Sequence, residues 1–248
     1  MICDIFIRTY KKDIEWLDYC VRSIKKYCSG YRNLVIVYPE GEQECGKFSL
    51  TSFATSPINP DGYVDQQYSK LIADTYCKQD ATHLLMLDSD CFAHDYISPS
   101  TYIRNDKILF PITHKSSPHV SECQHFIKTC ERILNREVEY EFMRRQPFLL
   151  QTKDLKSFRE WFNHAQRVDL KSFLSTCKKS DSFSEYNVLG AYLYYIKQSK
   201  DYHFYDTDSG TCFYSPVLQS WSYGGLTDDI LNRYDECLSA DTKRGGGH

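Results

Sequence analysis

The feature that most constrains the fold is an alternation of short apolar runs with an amphipathic helix in the first forty residues. Residues 2–8 and 33–38 are largely apolar and too short for a typical helix, so both predict buried strands. Between them, residues 13–28 carry apolar side chains three and four positions apart. This spacing predicts a helix that begins at Asp13 and ends before Gly30. Strands of this kind are typical of a parallel sheet covered on both faces.

The alternation continues to residue 90, with a short strand near 49–54, a helix over 62–78 and a strand over 82–87. The second half is more mixed. Strands are predicted there over 107–110, 145–151, 202–205 and 210–215, and helices over 121–135, 153–165, 185–197 and 227–238. No linker-like or repeated segment interrupts the sequence. We therefore expect one α/β domain over residues 1–240, followed by a flexible tail at 241–248.

Composition excludes several classes of protein. With 42% hydrophobic and 25% charged residues, the chain can bury a core and is not of the disordered class. Its net charge of −3 argues against binding nucleic acid through phosphate neutralisation. No apolar run approaches the ~20 residues of a membrane span. Because the N-terminus also lacks a secretory-signal pattern, we expect a cytoplasmic protein whose 11 cysteines are reduced and packed in the core.

Two carboxylates directly follow the strand predicted over 82–87. Asp88 and Asp90 alternate along the chain, so their side chains point the same way if the segment is extended. Ligands of open α/β sheets bind outside the carboxyl ends of the strands, and hard divalent cations prefer carboxylate oxygens. The segment therefore predicts a cation site. The alternative is a turn in which the two side chains accept hydrogen bonds from backbone amides.

The strand, the Asp88-Ser89-Asp90 motif and the order of the preceding elements resemble the glycosyltransferases of the GT-A fold. The resemblance covers most of the chain, about residues 1–225, although the residue-level match is confined to short motifs. It implies a single GT-A-like domain with a Rossmann-like nucleotide-binding half over 1–95 and an acceptor-binding half over 96–240. The central sheet would be mixed, mostly parallel and flanked by helices.

The same resemblance implies a function and a cofactor. A Mn²⁺ or Mg²⁺ ion would lie on the diphosphate of a nucleotide sugar, with a UDP-sugar as the expected donor. The acceptor would be a hydroxyl of a glycan or glycoconjugate. Asp90 would be the principal metal ligand, while Asp88 would contact the ribose or reach the metal through water.

Donor-binding roles follow from the resemblance for three further groups of residues. The loops after the first two strands lie where the family holds the base and ribose, and polar residues on the 62–78 helix lie where it contacts the nucleotide. Lys70 would place a positive charge near the diphosphate. The alternatives are ordinary strand–helix connections and a solvated helix face. The candidate donor-binding residues are Arg8, Thr9, Tyr10, Tyr38, Gln66, Gln67, Lys70, Asp88 and Ser89.

The catalytic base and a third metal ligand are expected from the second half. Glu185 is the candidate general base that takes the proton of the acceptor hydroxyl, with Asp181 as the fallback. The alternative is a capping box between Ser182 and Glu185. If no base lies near the anomeric carbon, a retaining mechanism is favoured. His203 is the candidate third metal ligand, although its surroundings in the sequence also fit a strand.

Three further segments have weaker functional interpretations. The loop Trp221–Gly225 contains two glycines and could close over the donor, or it could be a surface turn. His114 and His119 could line the acceptor side, and the pair at 144–145 could contact phosphate or acceptor. Polar loops and solvated arginines are the alternatives.

Three competing functions use a similar α/β scaffold. A nucleotidyltransferase acting on a sugar phosphate is expected to carry a glycine-rich loop after the first strand, but residues 8–13 contain no glycine. A phosphatase-like hydrolase usually places its paired aspartates after the first strand, whereas here they follow a later one. A non-catalytic nucleotide-sugar-binding protein would be distinguished by loss of metal binding.

Overall fold

The computed structural model of this protein describes residues 1–143, 146–209 and 215–240. Within these residues the strands are β1 (Cys3–Arg8), β2 (Leu34–Pro39), β3 (Thr51–Thr55), β4 (His83–Asp88), β5 (Cys91–Ala93), β6 (Ile103–Arg104), β7 (Lys107–His114), β8 (Tyr140–Glu141), β9 (Phe148–Gln151), β10 (Tyr202–Asp206) and β11 (Val217–Gln219). The α-helices are α1 (Ile14–Tyr27), α2 (Gly62–Leu71), α3 (Gln124–Leu134), α4 (Thr152–Gln166), α5 (Leu170–Thr176), α6 (Glu185–Ala191) and α7 (Asp228–Ser239). A π-helical turn continues α6 over Tyr192–Ile196.

The central sheet has five strands in the order β3-β2-β1-β4-β9. The first four run parallel, and β9 runs antiparallel to β4. The chain proceeds from β1 outwards to β3 and then returns to the opposite side of β1 as β4. The strand order therefore reverses between β1 and β4, which is where a ligand crevice opens in sheets of this type. The register pairs Arg8 with Asp88, so both strands end at that crevice.

The second half of the chain joins this sheet and also extends beyond it. It supplies β9 to the central sheet and forms a smaller sheet in the order β10-β7-β6, with β8 beside β7. The short strand β11 pairs antiparallel with β5, which begins directly after Asp90. This pairing brings the segment that follows β11 against the end of β4.

Two apolar clusters stabilise the arrangement. The larger is continuous through both halves, from the buried strands β1, β2 and β4 to the aromatic side chains of β9, α4 and α6. The smaller contains Trp16, Phe92 and Tyr234 and holds α7 against α1. The α/β class with a mixed, mostly parallel sheet agrees with the sequence prediction. No helix within the described ranges combines the length and the apolar character that crossing a membrane requires.

The main helices and strands match their predicted positions, with differences that have physical reasons. The helix predicted over 62–78 ends at Leu71. There the Arg159 guanidinium donates a hydrogen bond to the Leu71 carbonyl at 2.8 Å, and it also pairs with Asp74 just beyond the helix. The strand predicted over 107–110 continues to His114, since β10 and β8 pair with its extension. The pair at 144–145, most of the strand predicted over 210–215 and the tail at 241–248 lie outside the described residues.

Candidate active site

A cleft of about 580 Å³ lies at the point where the strand order reverses between β1 and β4. The loop after β1, the turn after β4 and the start of α2 form its walls, and Lys179 and Ser222 close it from the second half. Carboxylates dominate its described lining, and they are Asp13, Glu42, Asp61, Asp65, Asp88 and Asp90. Such a wall favours a cation, or a ligand that brings cations with it.

Asp88 is held from both sides of its carboxylate. The Lys70 Nζ lies 2.5 Å from Oδ1, and the Gln146 side-chain amide donates to Oδ2. The same Gln146 accepts the Asp88 backbone N–H through Oε1 at 2.9 Å. Asp88 is therefore fixed in position at the edge of the cleft.

Lys70 lies at the centre of a buried charge cluster. Its side chain is 3% exposed, and Nζ lies 2.8 Å from Glu185 Oε1 and 5.1 Å from the centre of the Tyr186 ring. Burial by itself lowers the pKa of Lys70, but the carboxylates of Asp88 and Glu185 raise it well above its usual range. Burial raises the pKa of Glu185, and the positive charge of Lys70 opposes that effect. Lys70 thus remains protonated, and its single positive charge is shared between the Asp88 and Glu185 carboxylates.

Asp90 is bonded by the last residue of β11 and by the segment that follows it. Its Oδ1 accepts from the Gln219 amide at 3.3 Å, and its Oδ2 accepts from the Ser222 backbone N–H at 3.0 Å. Burial and the neighbouring Asp88 raise the pKa of Asp90 to about 6. Within the described ranges no lysine or arginine forms an ion pair with it. Asp90 therefore carries a carboxylate whose charge no ion pair compensates among the described residues.

Asp13 is a cleft residue that the sequence analysis placed only at the start of the first helix, as its expected cap. Its side chain caps no backbone N–H. It is buried and accepts from the Ser89 hydroxyl at 3.2 Å, which places it against the turn after β4. Burial raises the pKa of Asp13. An Asp directly before an amphipathic helix is typical of a helix cap. No local sequence pattern therefore distinguishes a capping Asp from one that lines a cleft.

The loop that follows β1 contributes polar groups to the same cleft, next to the turn after β4. Arg8 is buried and paired with Asp65 at 2.6 Å, so its charge is compensated within the protein. The Thr9 hydroxyl is buried at the cleft wall and has no hydrogen-bond partner within the described residues. The Tyr10 ring is 39% exposed and lines the same wall. The Thr9 hydroxyl and the exposed Tyr10 ring can thus contact a ligand, whereas Arg8 shapes the wall. The Tyr10 hydroxyl itself bonds other residues of the cleft.

The structure brings some predicted residues into the cleft and places others elsewhere. Those that line it are Arg8, Thr9, Tyr10, Gln66, Asp88, Ser89 and Asp90. Tyr38 is buried against Gly46, and Gln67 accepts the Glu185 backbone N–H at 2.8 Å. Gln67 and Lys70 are therefore buried, and the fully solvated helix face considered in the sequence analysis does not exist.

The second-half candidates do not line the cleft. His203 is exposed on β10, and Asp181 accepts the Lys178 backbone N–H at 2.7 Å. The capping box between Ser182 and Glu185 is not formed, because Ser184 is the residue that caps α6. His114 bonds Ser116 at the end of β7. No finding tests the functional roles proposed for Glu185, Asp181 and His203, so they stay predictions.

The donor set at the turn after β4 fits a hard divalent cation. Within the described residues no group of three or more His, Cys, Asp and Glu side chains could hold a metal by itself. Mg²⁺ is commonly bound by one or two carboxylates together with substrate phosphates and water. Asp88 and Asp90 supply that number of carboxylates on one wall of the cleft.

A solved structure with a similar fold is the galactosyltransferase LgtC in complex with donor and acceptor sugar analogues. The TM-score is 0.56, the alignment covers 95% of each chain, and 11% of the residues are identical. The predicted GT-A-like fold is confirmed. At this level of sequence identity the structural similarity establishes the fold. It does not establish the reaction, which has to be inferred from the residues of the cleft. No protein-family model matches the sequence, and no curated protein matches it.

Proposed function

We propose that this protein is a glycosyltransferase that moves a sugar from a nucleotide-diphosphate sugar, with a UDP-sugar as the expected donor, to a hydroxyl of a glycan or glycoconjugate. One observation carries the proposal. The Asp88–Asp90 turn and the loop Arg8–Tyr10 face each other across the strand-order reversal and line one cleft. The fold shared with a galactosyltransferase solved with donor and acceptor analogues supports this choice of reaction.

In this proposal the loop after β1 binds the base of the donor, and the turn after β4 binds its diphosphate. The Thr9 hydroxyl would bond the edge of the base, and the Tyr10 ring would stack on its face. Asp88 and Asp90 would hold Mn²⁺ or Mg²⁺, which would neutralise charge on the diphosphate leaving group. Gln66 also lines the cleft, where it can bond ribose or phosphate oxygens.

An inverting reaction needs a base that accepts the proton of the acceptor hydroxyl. Glu185 remains the proposed base for an inverting reaction, with Asp181 as the second candidate. A base needs to come within hydrogen-bond reach of the hydroxyl that it deprotonates. Glu185 is 3% exposed and bound to Lys70 below the cleft, so its contacts favour a role in holding Lys70. A retaining reaction, which needs no base there, is the matching alternative.

A thermal-shift screen tests the proposed function. A ligand that binds only the native state raises apparent stability by about 2.7 kcal/mol at a concentration of 100 times its Kd. We expect UDP-sugars to raise the unfolding midpoint in the presence of Mn²⁺, and EDTA to reverse the shift. ATP and CTP are the matched controls. Stabilisation by ATP or CTP together with a sugar phosphate, and not by UDP-sugars, would favour a nucleotidyltransferase instead.

A further inference from the structure

We propose that Gln146 is a positioning residue for Asp88, and that it orients this carboxylate toward the cation bound at the turn after β4. The inference rests on the proposed function, because that function requires the cation. Gln146 itself does not line the cleft, and two of its side-chain contacts are with the cleft residue Asp88.

Gln146 contacts Asp88 at two points. Its Oε1 accepts the Asp88 backbone N–H at 2.9 Å, and its Nε2 donates to Asp88 Oδ2. The first bond restrains the backbone at the end of β4, and the second restrains rotation of the carboxylate. An amide can do both because its donor and acceptor lie in one plane.

Lys70 contacts the other carboxylate oxygen of Asp88, but it cannot fix the orientation of the carboxylate plane. Its ammonium group lies 2.5 Å from Asp88 Oδ1 at the end of a flexible stem, and it also binds Glu185. A lysine acts as a compact point charge, whereas a planar amide restricts the angle at which its hydrogen-bond partner lies. Lys70 therefore supplies charge neutralisation, and Gln146 supplies orientation.

The backbone around Gln146 keeps it in place. It lies two residues before β9, whose first residue, Phe148, pairs with Met86 of β4. The Gln146 carbonyl accepts from the Ser215 hydroxyl at 3.3 Å, and Oε1 also accepts from the Cys91 thiol at 3.6 Å. Gln146 is thus anchored to β4 by the sheet, independently of any ligand in the cleft.

The test measures Mn²⁺ binding in the presence of UDP, with free Mn²⁺ followed by electron paramagnetic resonance. Gln146→Met keeps the length of the side chain and removes both hydrogen bonds. Loss of a partner that orients a metal ligand typically weakens metal binding by about 10–100-fold. We expect a loss of that size in Gln146→Met. We expect the same loss in Gln146→Asn, which keeps an amide but is too short to reach both groups.

Controls separate positioning from a general structural effect. Gln124→Met removes the hydrogen bond that the Gln124 side chain on α3 donates to the Lys115 carbonyl, away from the cleft, and should leave Mn²⁺ affinity unchanged. In an Asp88→Ala background, Gln146→Met should cause no further loss of affinity, because its effect passes through Asp88.

Each other outcome counts against the inference. The inference is overturned if Mn²⁺ affinity is unchanged in both Gln146 variants. It is also overturned if Gln146→Met lowers the affinity of Asp88→Ala as much as it lowers that of the wild type. Both outcomes leave the proposed function intact. A wild-type protein that binds no Mn²⁺ with UDP overturns the inference together with the metal-dependent part of the proposed function.

Discussion

At the scale of single residues, the two aspartates of the motif have different surroundings. Lys70 and Gln146 bond both carboxylate oxygens of Asp88. Asp90 is bonded only by uncharged groups, Gln219 and the Ser222 backbone N–H, within the described residues. A bound cation would therefore neutralise the charge on Asp90 and the part of the Asp88 charge that Lys70, which also pairs with Glu185, does not offset.

The first prediction concerns Asp90. Asp90→Ala removes that carboxylate, so we expect loss of Mn²⁺-dependent donor hydrolysis and transfer, with the protein still folded. Release of UDP from a UDP-sugar measures the activity, and circular dichroism measures the fold. Asp18→Ala on the exposed face of α1 is the control and should remain active. Full activity of Asp90→Ala would contradict the metal assignment.

The second prediction concerns Glu185. Glu185→Gln leaves Lys70 with one charged partner, Asp88, in a buried site. We expect the free energy of unfolding to fall by about 1–3 kcal/mol, less than for complete disruption of a buried ion pair. Urea denaturation measures it, and Glu160→Gln on the exposed face of α4 is the control. Unchanged stability with a much lower turnover would instead support Glu185 as the general base.

At the scale of elements, helix α7 stabilises the segment that reaches Asp90. Tyr234 stacks on Phe92 with ring centres 3.9 Å apart and planes 4° apart. Its hydroxyl bonds Ser220, in the segment between β11 and the residue that contacts Asp90. The packing of α7 on α1 is thus linked through Tyr234 to the segment that contacts Asp90.

The third prediction tests that link. Tyr234 is 2% exposed, and truncation of a buried aromatic to alanine costs about 3–5 kcal/mol. We expect Tyr234→Ala to speed amide hydrogen exchange in α7 and in residues 217–222, while β1 and β4 stay protected. Tyr234→Phe keeps the stacked ring and should change exchange far less. Equal acceleration in all elements would show that α7 has no local unfolding of its own.

Short elements explain where sequence analysis of the fold failed. β5 and β11 are three residues each, which is too short to leave a periodic pattern in a window of 11 to 18 residues. Their pairing depends on two segments about 120 positions apart. In contrast, α1 and the strands β1, β2 and β4 are long and apolar enough to be recognised locally, and their predicted positions hold.

At the scale of the whole molecule, the two halves predicted over 1–95 and 96–240 share a sheet. β9 from the second half pairs with β4 from the first, through Leu149 opposite Leu85 and Leu150 opposite Leu84. The larger apolar cluster is also continuous through both halves. Neither half can therefore bury its own core without the other.

The fourth prediction follows from that shared core. We expect the full chain to unfold in one cooperative transition, with fluorescence and circular dichroism giving the same midpoint. We also expect a fragment of residues 1–95 to lack stable structure, because the β9 side of β4 would be exposed. Two separate transitions, or a fragment with dispersed amide resonances, would show that the halves are independent domains.

The sequence by itself determined the α/β class, the buried strands and the position of two carboxylates at the end of β4. Each of these features is encoded by residues that are close in the sequence. The spacing of the apolar side chains indicates the element, and the residue at which that spacing ends indicates its boundary. It also located Thr9 and Tyr10 at the end of β1, where the reversal of strand order places the cleft.

Only the tertiary structure decided how those carboxylates are held. Gln146, Gln219 and Ser222 reach the motif from 58 to 132 positions away, and Lys70 is buried between Asp88 and Glu185. No local pattern marks a glutamine as the partner of a distant aspartate. Such a pairing exists only when the strands that carry the two residues lie side by side, and hydrogen bonds and ion pairs depend on that spatial approach rather than on sequence spacing.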